Sequence, residues 1–531
     1  MRPTQRLLLG IPRTVRSILV NSVAATANAT ASSSTAALPT APAPPADDVT
    51  VHGWVQSVRA HKNVAFAEVG DGSGEEIQAV LKGKGRAEGL SAGTAVRLTG
   101  TIKPSRGAGQ AVELAVSECE VLGPCDPETY PVQKKALPAA VLREYAHLRF
   151  RTGYTTSAMR VRDALARDWH DWLEDNEFVH IHTPILTSSD CEGAGEVFTV
   201  AQSLPAPAAP VTTPATPPPP PPFFPRPVNL TVSGQLHLEA PTHALARTYT
   251  LSPCFRAEPS QTSRHLAEFY MLEAEVAFVS SLPELCDVVE AGVRGTLEML
   301  LYGESPRWVR ARADIVRMAQ LAAAAAAENG PEDGEPAPAA PSTPEEAMEH
   351  LYTAANEPFA RISYTDAVAV LQTEHAAAPF LIEPKWEDGL ASEHEKWLAG
   401  VYFGRPTFVT DYPAFQKPFY MLPSDATSQP VASTHPAPGP TVAAFDLLFP
   451  GIGEMAGGSL REHRLDHLTA AIDKAGLQAD EYTWYTDLRR FGSVPHGGWG
   501  MGWERWVIWV TQAANVRDVV AFPRWAGSCR F

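Results

Sequence analysis

The chain has 531 residues, 44% of them hydrophobic and 19% charged, with a formal net charge of −17. That length and apolar content suffice for two or three folded domains and exclude a wholly disordered chain. The acidic balance excludes a protein held on nucleic acid by bulk charge, but leaves room for a local basic stripe that meets nucleic-acid phosphates. Six scattered cysteines (Cys119, Cys125, Cys191, Cys254, Cys286, Cys529) form no Cys-x-x-Cys pair, a pattern of reduced thiols without a zinc site. No apolar run approaches the roughly 20 residues of a membrane span, so no membrane partner is expected.

Residues 1–46 carry Arg2, Arg6, Arg13 and Arg16 among Leu7, Leu8, Leu9, Ile11, Ile18 and Leu19, with no acid before Asp47. A Ser/Thr/Ala stretch follows. This is the make-up of a mitochondrial transit peptide, and it predicts a disordered leader and a matrix location. From 47 to 125 the pattern predicts five short strands: Val49 to Val55, Val64 to Val69, Ile77 to Leu81, Thr94 to Ile102 and Val112 to Val121. Five such strands suggest a small Greek-key barrel of the OB-fold kind, an oligonucleotide-binding module. On its early strands Arg59, Lys62 and Phe66 offer charge and a stacking face, although Phe66 read alone is more readily a core aromatic.

A Pro-rich linker at 126–142 leads into a large domain, 143–531. Arg160 to Asn176 reads as an amphipathic helix with Val161, Leu165, Trp169, Trp172 and Leu173 on one face. A short strand around Phe178 to Ile181 and a break at Pro184 follow. Stretches at about 204–227, 322–346 and 424–441, rich in Pro, Ala, Ser or Thr, are expected to be disordered insertions. What remains mixes strands and helices without regular βαβ alternation, so the fold class is α+β, built on an antiparallel sheet flanked by helices.

Three segments of this domain carry chemistry. The first is the helix, strand and Pro184, followed by Ser188-Ser189-Asp190-Cys191-Glu192-Gly193-Ala194-Gly195-Glu196. The second, Phe255 to Glu273, reads as two strands joined by a polar loop and holds Arg256, Glu258, His265, Phe269 and Glu273. The third, Gly497-Gly498-Trp499-Gly500-Met501-Gly502-Trp503-Glu504-Arg505, runs into an apolar helix. Together they resemble motifs 1, 2 and 3 of the class II aminoacyl-tRNA synthetases and, within the aspartate-like subgroup, the asparaginyl-tRNA synthetase family. The resemblance covers about Val49 to Phe531 apart from the insertions.

The resemblance implies ATP-dependent activation of L-asparagine, transfer to tRNA(Asn), Mg2+ as cofactor, and a homodimer through motif 1. It implies that Arg256 meets the α-phosphate and Arg505 the γ-phosphate. Arginine suits both because its planar fork binds phosphate oxygens bidentately. Glu258 and His265 fit the loop that touches adenine and phosphates, and Phe269 the stacking position. Asp446 and Glu454 match the metal-carrying acids, Arg461 the reader of the amino acid's side chain, and Glu192, Ser233 and Gln235 its neighbours. Glu273 would accept either from the α-amine or from the side-chain amide. Arg59, Phe66 and Gln78 match anticodon-reading positions.

Leu238 stands where the aspartate enzymes carry a lysine, which removes a cation and favours the neutral amide over the acid. Aspartyl or relaxed specificity, a non-catalytic RNA-binding paralogue and asparagine synthesis on the same fold are the competing readings. Pro259, Trp499, Trp503 and the glycine-free Thr511-Gln512-Ala513-Ala514 depart from the family pattern.

Overall fold

The computed structural model describes residues 11–20, 48–105, 107, 110–132, 137–188, 197–201, 223–329, 341–429 and 432–531. They form two compact units, Met1–Arg160 with Ala313–Ser342, and Val161–Arg312 with Thr343–Phe531.

In the first unit, alternating side chains turn five segments into strands: β1 (Val49–Ala60), β2 (Val64–Gly70), β3 (Glu76–Lys82), β4 (Ala95–Pro104) and β5 (Val112–Gly123). They close into a barrel in the order β1-β2-β3-β5-β4, with β3 and β5 parallel. Val51, Val55, Val69, Ile77, Leu81 and Leu98 fill its interior.

The expected leader is corrected in part by what lies at this barrel. Residues 15–20 form a short helix, α1. Val15 and Ile18 are 1% and 4% exposed and belong to the barrel core, with Leu19 packed beside them. The physical reason is the i, i+3, i+4 apolar stripe, which one turn of helix presents to a hydrophobic surface. The barrel also receives first-turn N–H groups: Val15 donates to Asp71 Oδ2 (2.8 Å) and Arg16 to Ser73 Oγ (3.2 Å).

The second unit is built on an eight-stranded sheet in the order β11-β12-β13-β14-β15-β10-β9-β6. In chain order these are β6 (Val179–His180), β9 (Arg247–Phe255), β10 (Glu268–Ala277), β11 (Ala360–Ser363), β12 (Thr407–Pro413), β13 (Thr441–Phe449), β14 (Gly453–Leu460) and β15 (His496–Gly502). A separate ribbon pairs β7 (Leu186–Thr187) with β8 (Asn229–Leu230). The centre is antiparallel as expected, but the edge pairs β11–β12 and β6–β9 are parallel, so the sheet is mixed.

Helix α2 (Gly153–Asp175) turns Trp169 and Trp172 toward two glycines of α4 (Leu282–Tyr302). A Cβ on Gly292 would lie 2.8 Å from the Trp169 ring, and one on Gly295 would lie 2.5 Å from that of Trp172. Trp169 also packs against Trp499 and Trp506, with ring centroids at 5.6 and 6.1 Å. The larger aromatic at 499 thus sits in an indole cluster under the sheet. The other helices that bear on the site are α3 (Gln235–Leu245), α6 (Tyr364–Ala377), α7 (Ser392–Trp397), α8 (Thr483–Arg490) and α9 (Trp503–Thr511).

Two of the stretches expected to be disordered carry structure. Helix α5 runs from Pro306 to Asn329 and takes in the polyalanine, because alanine propagates a helix already nucleated. Thr343 then caps a helical turn at Pro344–Ala347. In the 424–441 stretch, Ser424–Ala426 is a 3-10 turn, and Thr434 and His435 donate backbone N–H groups to Asp366. These hydrogen bonds, not a packed core, order the segment. Residues 204–222 of the first insertion lie outside the described residues.

The docked α1 has a thermal consequence. Ile18→Asp buries a charge where a methylated side chain contributes about 1.5–3 kcal/mol, and is expected to lower the unfolding midpoint of the barrel. Deletion of residues 1–10 should leave that midpoint unchanged. Equal melting of Ile18→Asp and wild type, by calorimetry, would exclude the docked helix.

Candidate active site

Strands β9 and β10 pair in register from Phe255↔Glu268 to Arg247↔Val276, leaving the intervening loop to cross the end of the sheet. Arg256 N–H donates to Ala267 O at 3.0 Å and closes the neck of that loop. Arg256, Glu258, His265, Phe269, Glu454 and Arg505, the six residues expected at ATP, all line one cleft of about 690 Å³ open to solvent. The guanidinium of Arg256 lies 5.5 Å from the centre of the Phe269 ring and 3.8 Å from Glu258. His265 stands 3.5 Å from Glu258 and shares a 2.6 Å hydrogen bond with Thr262. Burial, together with Arg505, Arg264 and Arg256, outweighs Glu258 and holds His265 below its ordinary pKa, so the imidazole is neutral near pH 7.

On the opposite wall Arg505 begins α9. Its Nη1 donates to the Glu454 carbonyl (2.8 Å) and reaches the Glu454 carboxylate (3.4 Å). Glu504, beside it, accepts from Arg162 of α2 at 2.7 Å and from Tyr270 N–H at 3.0 Å, tying the motif 1, 2 and 3 segments together. Asp446 on β13 faces Gly457 on β14. A Cβ at Gly457 would meet Asp446 Oδ1 at 3.3 Å and Glu454 Oε1 at 3.7 Å, so the glycine leaves a cradle between two carboxylates. Hard oxygen donors so placed fit a divalent cation.

Lys417 donates to both oxygens of Asp446 (2.9 and 3.0 Å). Burial raises the Asp446 pKa, with Glu454 adding to it. Burial also acts on Glu454, but Arg505, Lys417 and Arg256 more than offset it and hold that group low. A third acid, Glu395 of α7, accepts the Glu454 N–H at 3.1 Å. Burial first, then the charges of Glu454 and Asp446, push it up to about 7.

The residues expected at the amino acid form a second, buried group. Ser233 Oγ donates to Glu273 Oε1 (2.5 Å) and Gly234 N–H to Glu273 Oε2 (2.9 Å). Gln235 opens α3 and its Nε2 points to Glu239 at 3.5 Å. Arg461, 2% exposed, makes a two-pronged pair with Glu275 through Nε (2.9 Å) and Nη2 (3.0 Å). Glu239 is held by Arg489 (2.6 Å), the Tyr485 hydroxyl (2.8 Å) and His496 (3.1 Å). Burial acts to raise Glu239, but Arg489, His496 and Arg461 hold it well below the usual carboxylate range. Burial and the neighbouring Glu239 push Glu275 up.

Glu239, Glu275 and His496 are the one compact donor set of metal-ligating type among the described residues. Its two carboxylates are buried and each is paired with an arginine, so the set is part of an ion-pair network. Glu192 lies outside the described residues.

Residue reasoning missed Glu275, Glu239, Glu395, Lys417 and Arg489. Two had a signal: Glu275 shares the face of Glu273 by strand alternation, and Glu239 the face of Gln235 by helical repeat. The others are brought in by tertiary packing alone. In the barrel, Arg59 pairs with Phe66 across β1 and β2, and Gln78 lies opposite Glu68 on β3. Phe66 and Gln78 alternate with buried residues, and the exposed Arg59 is the cross-strand partner of Phe66, so the three share the outer face.

The sequence matches the OB-fold nucleic acid binding domain over residues 49–122 and the tRNA synthetases class II (D, K and N) over residues 139–526. It is 41% identical to a mouse asparaginyl-tRNA synthetase over 483 residues, covering 91% of each chain. It is 39% identical over 485 residues to an asparagine–tRNA ligase of Desulfotalea psychrophila, covering 90% of this chain and 95% of the relative. The structure of a Pyrococcus horikoshii asparaginyl-tRNA synthetase complexed with asparaginyl-adenylate superposes with a TM-score of 0.72 at 28% identity, covering 91% and 96%. The chain belongs to the class II tRNA synthetases of the D, K and N group. Its activity is that of an asparagine–tRNA ligase.

The raised Glu395 carries a pH signature. Its native pKa of about 7 exceeds the ordinary 4.5, so the native state holds this proton longer than the unfolded chain and stability falls as pH rises between those values. Glu395→Gln removes that loss. Without nucleotide or divalent cation, its melting temperature relative to wild type is expected to rise from pH 5 to pH 8. A pH-independent difference would contradict the assignment.

Proposed function

We propose that this ligase activates L-asparagine with ATP in the cleft between Arg256 and Arg505, then charges tRNA(Asn) for mitochondrial translation. The observation that carries the reading is the convergence of six ATP-type residues, drawn from strands and loops far apart in sequence, on one cleft. An oxygen of the asparagine carboxylate attacks the α-phosphorus, the bond to the bridging oxygen breaks, and pyrophosphate leaves. Arg256 lies where charge builds on the α-phosphate, Phe269 stacks on adenine, and Arg505 holds the far phosphate, so the side chains act by position and charge. Asp446 and Glu454 would hold Mg2+, which neutralises phosphate oxygens when bound. In the second step a hydroxyl of the terminal ribose of tRNA attacks the asparaginyl carbonyl carbon, and AMP leaves. His265, neutral, serves as a hydrogen-bonding group and not as a fixed charge.

Selection of the amide rests on charge balance. Arg461 and Arg489 are matched by Glu275 and Glu239, so the buried network has no cation to spare for an aspartate side chain. Leu238 adds none. An amide can donate to Glu275 and accept from Arg461, whereas a second carboxylate would face Glu275 with like charge. Pyrophosphate exchange with asparagine and aspartate in competition tests this. Glu275→Ala frees Arg461 and is expected to narrow the preference for asparagine by roughly tenfold or more. An unchanged ratio would remove Glu275 from the specificity argument.

The barrel face of Arg59, Phe66 and Gln78 supports anticodon binding. Phe66→Ala is expected to raise the tRNA KM about tenfold, in line with ~1–3 kcal/mol per stacked base. Asparagine-dependent pyrophosphate exchange should stay unchanged; parallel loss of both would place Phe66 in the barrel's stability instead. A homodimer is supported by the exposed apolar side chains of Val179, Ile185 and Leu186 beside the motif 1 helix, and light scattering gives its mass. The basic, acid-free start of the chain supports import into the matrix. Because α1 is part of the barrel, a leader removed there ends before Thr14. N-terminal sequencing of the organellar protein checks this, and a mature start beyond Val20 would contradict it.

A further inference from the structure

Glu454 sits where the β13–β14 ladder loses its register, between Leu447↔Ala456 and Leu448↔Glu454, with Met455 left over as the extra residue. A residue at such a bulge is not aligned by the ladder alone. Its two backbone groups are instead gripped by side chains from elsewhere. The carbonyl accepts from Arg505 at 2.8 Å, and the N–H donates to Glu395 at 3.1 Å. The approach of Glu395 is close: a Cβ on Gly453, whose φ is +85°, would lie 2.6 Å from its Oε2. Only glycine satisfies both that contact and that backbone angle.

The helix that delivers Glu395 is itself tied to the loop over the nucleotide cleft. Arg264 Nη1 donates to Ser392 Oγ of α7 (3.0 Å) and to Ile452 O (2.5 Å), and its Nη2 donates to Gly451 O (3.3 Å). Arg264 lines the same cleft as Arg256 and Arg505. The β13–β14 turn is therefore bracketed from two sides, by the loop through Arg264 and by α7 through Glu395.

We propose that Glu395 is a positioning residue for ATP: by accepting the Glu454 N–H it fixes the bulge that holds Arg505 in its phosphate-facing place. Glu395 acts through the backbone of Glu454, so the property it supplies is a hydrogen-bond acceptor at one point. The proposal rests on the reading of Arg505 as an ATP contact, and the experiment separates the two.

ATP and asparagine KM values are measured by pyrophosphate exchange for Glu395→Ala, Glu395→Gln and Arg505→Ala, with melting temperatures alongside. Glu395→Ala is expected to raise the ATP KM by roughly tenfold while the asparagine KM moves less than about twofold. Glu395→Gln keeps an oxygen for the N–H and should bring the ATP KM back to within about threefold of wild type. A wild-type ATP KM in Glu395→Ala overturns the proposal. So does an equal rise for both substrates, or a glutamine variant as impaired as the alanine one. If Arg505→Ala leaves the ATP KM unchanged, the ATP reading of the cleft fails, and the role of Glu395 falls with it.

Discussion

The site depends on a strip of the large sheet that has no side chains. At the contact of β10, β15 and β14, Gly498 lies opposite Glu275 and Ser459, and Gly500 lies opposite Glu273 and Gly457. A Cβ on Gly498 would collide with the Glu275 carboxylate. The glycines let charged groups from neighbouring strands lie flat over the sheet, where a normal residue would hold them off. Glycine weakens a strand, and the ladder partners on both sides together with the tryptophans beneath offset that cost. The indole of Trp499, itself between two of these glycines, points to the other face and anchors the strand on Trp169.

Two charge systems stand above this strip and differ in kind. The end lined by Arg256, Arg264 and Arg505 mixes these cations with Glu258, Glu454 and Glu504, has Lys417, Asp446 and Glu395 behind Glu454, and is open to water. At the other end the buried carboxylates of Glu239 and Glu275 are matched by Arg489 and Arg461, while Glu273 accepts from Ser233 and Gly234. Isolated charges there would be costly, while matched and hydrogen-bonded ones persist at the price of sensitivity to any added charge.

How far the sequence disclosed this varies with physical range. The barrel strands and the α2 helix were legible because period-2 and period-3.6 patterns are local, although α2 starts at Gly153 and not at Arg160, and β1 runs on to Ala60 past the expected Val55. The six residues expected at ATP come from ordered motifs and the segment around Glu454, and all of them line one cleft. Glu395, Lys417 and Arg489 were not, since each stands in an ordinary polar stretch and gains meaning from a neighbour many residues away. The parallel edge strands were hidden for the same reason: pairing direction is set by the path of the chain. Composition misled at the polyalanine, where low complexity suggested disorder and helix propensity prevailed.

The docking of α1 makes the start of the chain part of its own barrel: Val15 and Ile18 lie in the barrel core, and Asp71 and Ser73 receive the first backbone N–H groups of the helix. The barrel core is thus completed by residues that precede its first strand, so a change at Asp71 or Ser73 is felt at the helix as well as in the barrel.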